Sequence, residues 1–135
     1  RVIDRKLREQ LEEGLARGFA LDLGIHFREL DEGYAELEMP MEDRKRNIYG
    51  MVHGGALYTL LDTASGFAVR SYGDRVVTLT GTANYLVAGK ETAYLLAKAK
   101  VVRKGGHTAV VSADVFDDKG TLLANGSFTF YVLRD

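Results

Sequence analysis

The sequence predicts an α+β fold, with a long helix packed on an antiparallel sheet. Three observations predict it. Helical periodicity is confined to two stretches, residues 1–17 and 54–72. Strand-like runs fill most of the rest, separated by glycine-containing turns. The long helix carries Ala64, Ser65, Gly66 and Ala68 on its later turns, small residues that suit close approach to a sheet wrapped around it.

The first segment is charged and rich in helix formers. Val2, Leu7, Leu11 and Leu15 recur at helical spacing, and Gly14 and Gly18 weaken or end the helix. Its basic residues are matched by Asp4, Glu9, Glu12 and Glu13, which reads as a solvated face rather than a nucleic-acid contact. From Phe19 the period becomes two. Residues 25–30 end in the turn Asp31-Glu32-Gly33, and Tyr34 to Met39 alternate with Glu36 and Glu38 outward, so a hairpin is expected. Pro40 ends its second strand. Residues 41–52 form a polar loop. Leu57, Leu60, Leu61, Ala64 and Ala68 then mark the buried face of the long helix. Four further strands are expected at 75–86, 91–103, 107–117 and 121–133. With no repeat, low-complexity tract or linker, the chain reads as one domain over 1–135, an N-terminal helix over 1–18 and a core over 19–135.

Composition removes several function classes. A net charge of −1 gives no bulk bias toward nucleic acid. The absence of cysteine excludes a thiol nucleophile, a disulfide framework and cysteine-ligated zinc. His26, His53 and His107 lack ligand spacing, so no metal and no cofactor are expected. No apolar run is long enough to span a bilayer and no secretory signal is evident; a cytoplasmic protein without membrane contact is expected.

Chemistry concentrates in the run from Asn47 to Asp62. Gly54 and Gly55 stand at a helix start, where backbone N–H groups and the positive end of the dipole can hold a carbonyl oxygen as it becomes an anion. Asp62 is a lone carboxylate among Leu60, Leu61 and Ala64, a costly placement that needs a reason. It shares a helix face with Gly55, Tyr58 and Thr59. An oxyanion site and a carboxylate on one element suggest acyl transfer or hydrolysis. Each residue also has a plain structural role available. The glycines suit a tight turn, Asn47 can brace a loop, and Thr78 fits ordinary β propensity, as Thr80 and Thr82 do. Tyr58 and Thr59 can pack or line a pocket. His53 can serve as a base, but its position at the turn favours holding the glycines in place.

These residues resemble the hotdog-fold thioesterases, in the branch that includes the phenylacetate-pathway enzymes. The resemblance runs from about Phe19 to Val132 and is sharpest over 47–85. It rests on Asn47, then His53-Gly54-Gly55, then Asp62 in the helix and Thr78 on the next strand. One departure is the turn Tyr85-Leu86-Val87-Ala88-Gly89, which lacks the proline frequent in the family and borders the expected acyl or pantetheine path. The resemblance implies a hotdog fold with an extra N-terminal helix and hydrolysis of an acyl-CoA thioester. It makes Asp62 the general base or nucleophile and the Gly54 N–H the oxyanion donor, with Asn47 and Thr78 assisting. His53, Gly55, Tyr58 and Thr59 are then expected near the substrate. Arg103 and Lys104, a basic pair before Gly105-Gly106, are expected near the coenzyme A phosphates. It further implies a homodimer with sites shared between chains, and pairing of dimers into a homotetramer. Two rivals share the fold. A non-catalytic acyl-CoA sensor is disfavoured by the retained Asp62, and a dehydratase or hydratase by the lack of a matching His–acid pair.

Overall fold

The computed structural model describes residues 2–133. The N-terminal helix is shorter than its periodicity suggested. α1 spans Arg5–Leu15 and begins where the Asp4 carboxylate caps the Lys6 N–H. Its apolar stripe starts at Ile3, which is buried, whereas Val2 is 84% exposed. Residue 1 of the expected helix lies outside the described residues. The strand-like period at Phe19 is also corrected: Gly18–Asp22 form a second, short helix, α2. Gly18 has φ +70°, which turns the chain sharply, and Phe19 and Leu21 stay largely exposed. Alternation over four residues mimicked a strand. The helical part therefore continues past the boundary expected at 18/19.

β1 (His26–Asp31) and β2 (Tyr34–Pro40) form the expected hairpin. A 3-10 turn at Asp43–Lys45 starts the loop that leads to α3 (Gly54–Arg70). β3 (Arg75–Tyr85), β4 (Tyr94–Lys104), β5 (Thr108–Phe116) and β6 (Leu122–Leu133) complete one antiparallel sheet in the order β1-β2-β4-β5-β6-β3. β3, β5 and β6 fall within the expected runs, and β4 extends one residue past its expected end at 103.

Alternation explains the packing. Ala35, Leu37 and Met39 on β2, Leu95, Ala97 and Ala99 on β4, and Val111, Ala113 and Val115 on β5 are fully buried. They face Leu57, Leu60, Leu61, Ala64 and Ala68 of α3, which are buried in turn. The central alanines let the helix approach, and each buried Leu contributes about 1.5–3 kcal/mol of transfer free energy. The far end of α3 is pinned to the hairpin: Ser71 Oγ accepts the Gly33 N–H at 2.7 Å and donates to Ala68 O at 2.6 Å. Gly81 admits the Tyr58 hydroxyl and the Phe128 ring where any Cβ would collide with them. No helix is long and apolar enough to cross a membrane among the described residues.

Candidate active site

The loop before α3 is anchored first. Lys45 is 3% exposed, and its ammonium donates to Leu23 O and Pro40 O at 2.6 Å each while pairing with Glu42 at 2.8 Å. A buried ammonium is tolerated because every proton has an acceptor. Its backbone carbonyl then accepts the His53 N–H at 2.9 Å.

Asn47 builds the turn that follows. Its Oδ1 accepts the N–H groups of Tyr49 and Met51 at 2.9 and 3.0 Å, and Gly50 closes the turn at φ +77°. The oxygen is thereby committed to the loop. The Nδ2 amide is the end left to donate outward. Bracing and a polar contact to substrate are thus compatible uses of one side chain.

His53 caps α3. Its Nδ1 accepts the Gly55 N–H at 2.7 Å, which places the ring proton on Nε2. The Gly55 donor is therefore used. The Gly54 N–H has no acceptor among the described residues, although it stands at the helix start where the dipole favours negative charge. Gly54 lines a groove of about 290 Å³ with Asn47, Met51, Val52, Leu57 and the turn from Tyr85 to Gly89. Met51, Val52 and Leu57 were not singled out from sequence, because apolar residues beside a glycine motif look like core.

Asp62 and Thr78 meet. Thr78 Oγ1 donates to Asp62 Oδ1 at 2.8 Å across sixteen residues of sequence. Asp62 is half-buried. Burial pushes its carboxyl above the usual aspartate range, and the Thr78 hydrogen bond opposes that rise. The pair does not line the Gly54 groove of its own chain. Asp62 stands eight residues beyond Gly54 on α3, about 12 Å along the axis at 1.5 Å per residue.

The other expected residues divide. Tyr58 packs in the core, its ring 5.3 Å from that of Phe128. Thr59 Oγ1 returns to Gly55 O at 2.8 Å. Lys104 pairs with Asp74 at 3.0 Å and lies 5.4 Å over the Tyr72 ring. That is the C-terminal end of α3, the end opposite Gly54. Arg103 is exposed and carries no ion pair among the described residues. No cluster of metal-ligating side chains occurs among them either.

Comparison with known proteins shows the family. The model of the thioesterase superfamily matches residues 49–124. The acyl-coenzyme A thioesterase PaaI of Escherichia coli is 31% identical over 102 residues, covering 76% of this chain and 73% of that protein. The solved structure of E. coli PaaI, from the phenylacetic acid degradation operon, superposes with a TM-score of 0.91 at 26% identity, covering 98% of this chain and 96% of that one. A hypothetical thioesterase of Streptococcus pneumoniae, solved with coenzyme A, has a TM-score of 0.77 at 33% identity, covering 81% of this chain and 85% of that one. Two further structures of the streptococcal protein replace an aspartate and a threonine, sixteen residues apart, by alanine.

Proposed function

The chain belongs to the thioesterase superfamily, and from that premise we propose that it hydrolyses an acyl-CoA thioester to the free acid and coenzyme A. The observation that carries the proposal is the unused Gly54 N–H at the start of α3, in a groove, on the same helix as a half-buried carboxylate. The Asp62–Thr78 spacing also equals that of the residues replaced in the streptococcal structures.

In the proposed reaction the thioester oxygen accepts the Gly54 N–H, and the Asn47 amide holds the carbonyl or the water. Asp62 takes a proton from water as the oxygen attacks the carbonyl carbon. The tetrahedral intermediate collapses, the carbon–sulfur bond breaks, and the departing thiolate takes up the proton held by Asp62, which restores the base. Thr78 fixes one carboxylate oxygen and leaves the other to face the water. A carboxyl raised above its ordinary range is a better base near neutral pH. Release of free thiol from a panel of aromatic, medium-chain and hydroxylated acyl-CoAs tests the reading. Tight binding of acyl-CoA without turnover would replace it with the sensor reading.

The reaction needs two chains. The attacking water must lie about 3 Å from both Asp62 and the reacting carbon, whose oxygen must lie about 3 Å from the Gly54 N–H, whereas about 12 Å of helix separates Asp62 from Gly54 in one chain. The sheet offers a means of pairing. Its β1 edge carries Arg28, Glu29 and Asp31, while the β3 edge exposes Val77 and Leu79 beside an open backbone ladder. Pairing through β3 brings Asp62 and Thr78 of one chain to Asn47 and Gly54 of the next, and two such dimers form the proposed tetramer. Mixing Asn47→Ala with Asp62→Asn chains is then expected to restore activity to about a quarter of wild-type sites after subunit exchange. Exchanged hybrids that stay inactive, or an active monomer, would overturn the shared site.

Arg103, not Lys104, is the half of the basic pair left open to a phosphate. Arg103→Ala is expected to raise KM for acyl-CoA severalfold, with little change in kcat, and the effect should shrink as salt rises. An acyl-pantetheine substrate should not respond. Equal harm to both substrates would assign Arg103 to the fold.

A further inference from the structure

We propose that Arg46 is a positioning residue that sets the width of the substrate groove by tying its two walls together. This rests on the reading of the groove given above. One wall is the turn from Asn47 to Val52, and the other is the segment Leu86 to Gly89. They are far apart in sequence and belong to different connections. Arg46 Nη1 donates to Gly50 O in the first wall and to Lys90 O just beyond the second, at 2.9 Å each. Its Nε donates to Asp43 at 3.3 Å, which orients the guanidinium from behind. The floor is closed separately by the Val52 N–H on Gly89 O at 2.9 Å. Arg46 thus acts nearer the rim, on the turn organised by Asn47.

Three features separate this from general stabilisation. The loop already has its own anchor to the body in the buried Lys45. The Arg46 side chain is 25% exposed and fills no core position. Both of its Nη1 acceptors are main-chain carbonyls that flank the groove, so losing it removes the side-chain tie between the two segments and leaves the Val52–Gly89 backbone tie in place. A guanidinium suits the task because its planar fork serves both carbonyls and Asp43 in one geometry and keeps its charge. A lysine ammonium at the end of a flexible stem would hold the walls less firmly.

The test compares Arg46→Ala and Arg46→Lys with wild type, reading steady-state kinetics over straight-chain acyl-CoAs and amide hydrogen exchange. Arg46→Ala is expected to raise KM about ten- to a hundredfold for the preferred acyl chain, with a smaller fall in kcat and a flatter preference across chain lengths. Exchange should quicken in residues 47–52 and 86–90 while α3 and the sheet keep their protection. Arg46→Lys should fall between. Unchanged exchange at both walls would overturn the proposal, as would faster exchange throughout the protein. If wild type turns over no acyl-CoA, the substrate reading fails, while the exchange comparison still decides whether Arg46 ties the walls.

Discussion

Asp62→Asn is expected to lower kcat by about 10²–10⁴, the usual share of a positioned general base, while the melting temperature at neutral pH stays level or rises. The two halves of that expectation have one cause. Burial raises the Asp62 pKa, so the folded chain holds the proton more tightly than the unfolded chain. Stability linked to this group is present below the unfolded pKa and is lost as pH rises through the folded one. At neutral pH the carboxylate is therefore a burden on the fold. Asparagine removes the charge and keeps an oxygen to accept the Thr78 hydroxyl. A residue kept for structure would show the reverse, with activity and stability falling together. The pH profile adds a second reading. In wild type, kcat/KM should fall on the acid side with an apparent pKa above that of an ordinary aspartate, and Thr78→Val, which removes the opposing hydrogen bond, should move that limb to higher pH. Turnover of Asp62→Asn within a few-fold of wild type would sink the assignment.

The parts legible in the sequence were those governed by short periods and by glycine. Tyr34 to Met39 alternate because one sheet face is buried, and the face so marked is the one found against α3. Leu57, Leu60, Leu61, Ala64 and Ala68 recur at helical spacing for the same reason. α2 was hidden because five residues are too few to separate a helical turn from alternation, and because Phe19 and Leu21 remain exposed. At the candidate site, the pattern of Asn47, His53, Gly54 and Asp62 pointed to the loop and helix on which the proposal rests. The resemblance named the Gly54 N–H as the donor, but the spacing alone did not say which glycine N–H was free. That follows from the His53 ring capping Gly55 two residues on, a local detail set by one rotamer. Nor could spacing foresee Lys104 turning to Asp74 or Arg46 reaching Lys90 O, since both contacts join segments remote in sequence.

The free donor can be deleted almost alone. Gly54→Pro removes one N–H, and Gly54 is the first residue of α3, the helical position where proline is best tolerated. The preceding His53 has φ −66° and ψ 134°, the extended backbone that a following proline requires. A Cβ at Gly54 would meet the Tyr85 ring at 3.5 Å, an ordinary contact, so the pyrrolidine ring has room on that side. The His53 cap on Gly55 is untouched. Gly54→Ala carries the same Cβ and keeps the N–H, which makes it the control. Gly54→Pro is expected to lower kcat by about 10²–10³, the usual cost of losing one oxyanion donor, with the helical circular dichroism and coenzyme A binding retained. Gly54→Ala should lose less than about tenfold, because alanine is a strong helix former at this first helical position and the donor remains. The donor acts on charge that develops only as the carbonyl is attacked, so the loss should fall on kcat and spare KM. If proline and alanine behave alike, the Gly54 N–H is a spectator and the oxyanion is held elsewhere, with the Asn47 amide the next group to remove.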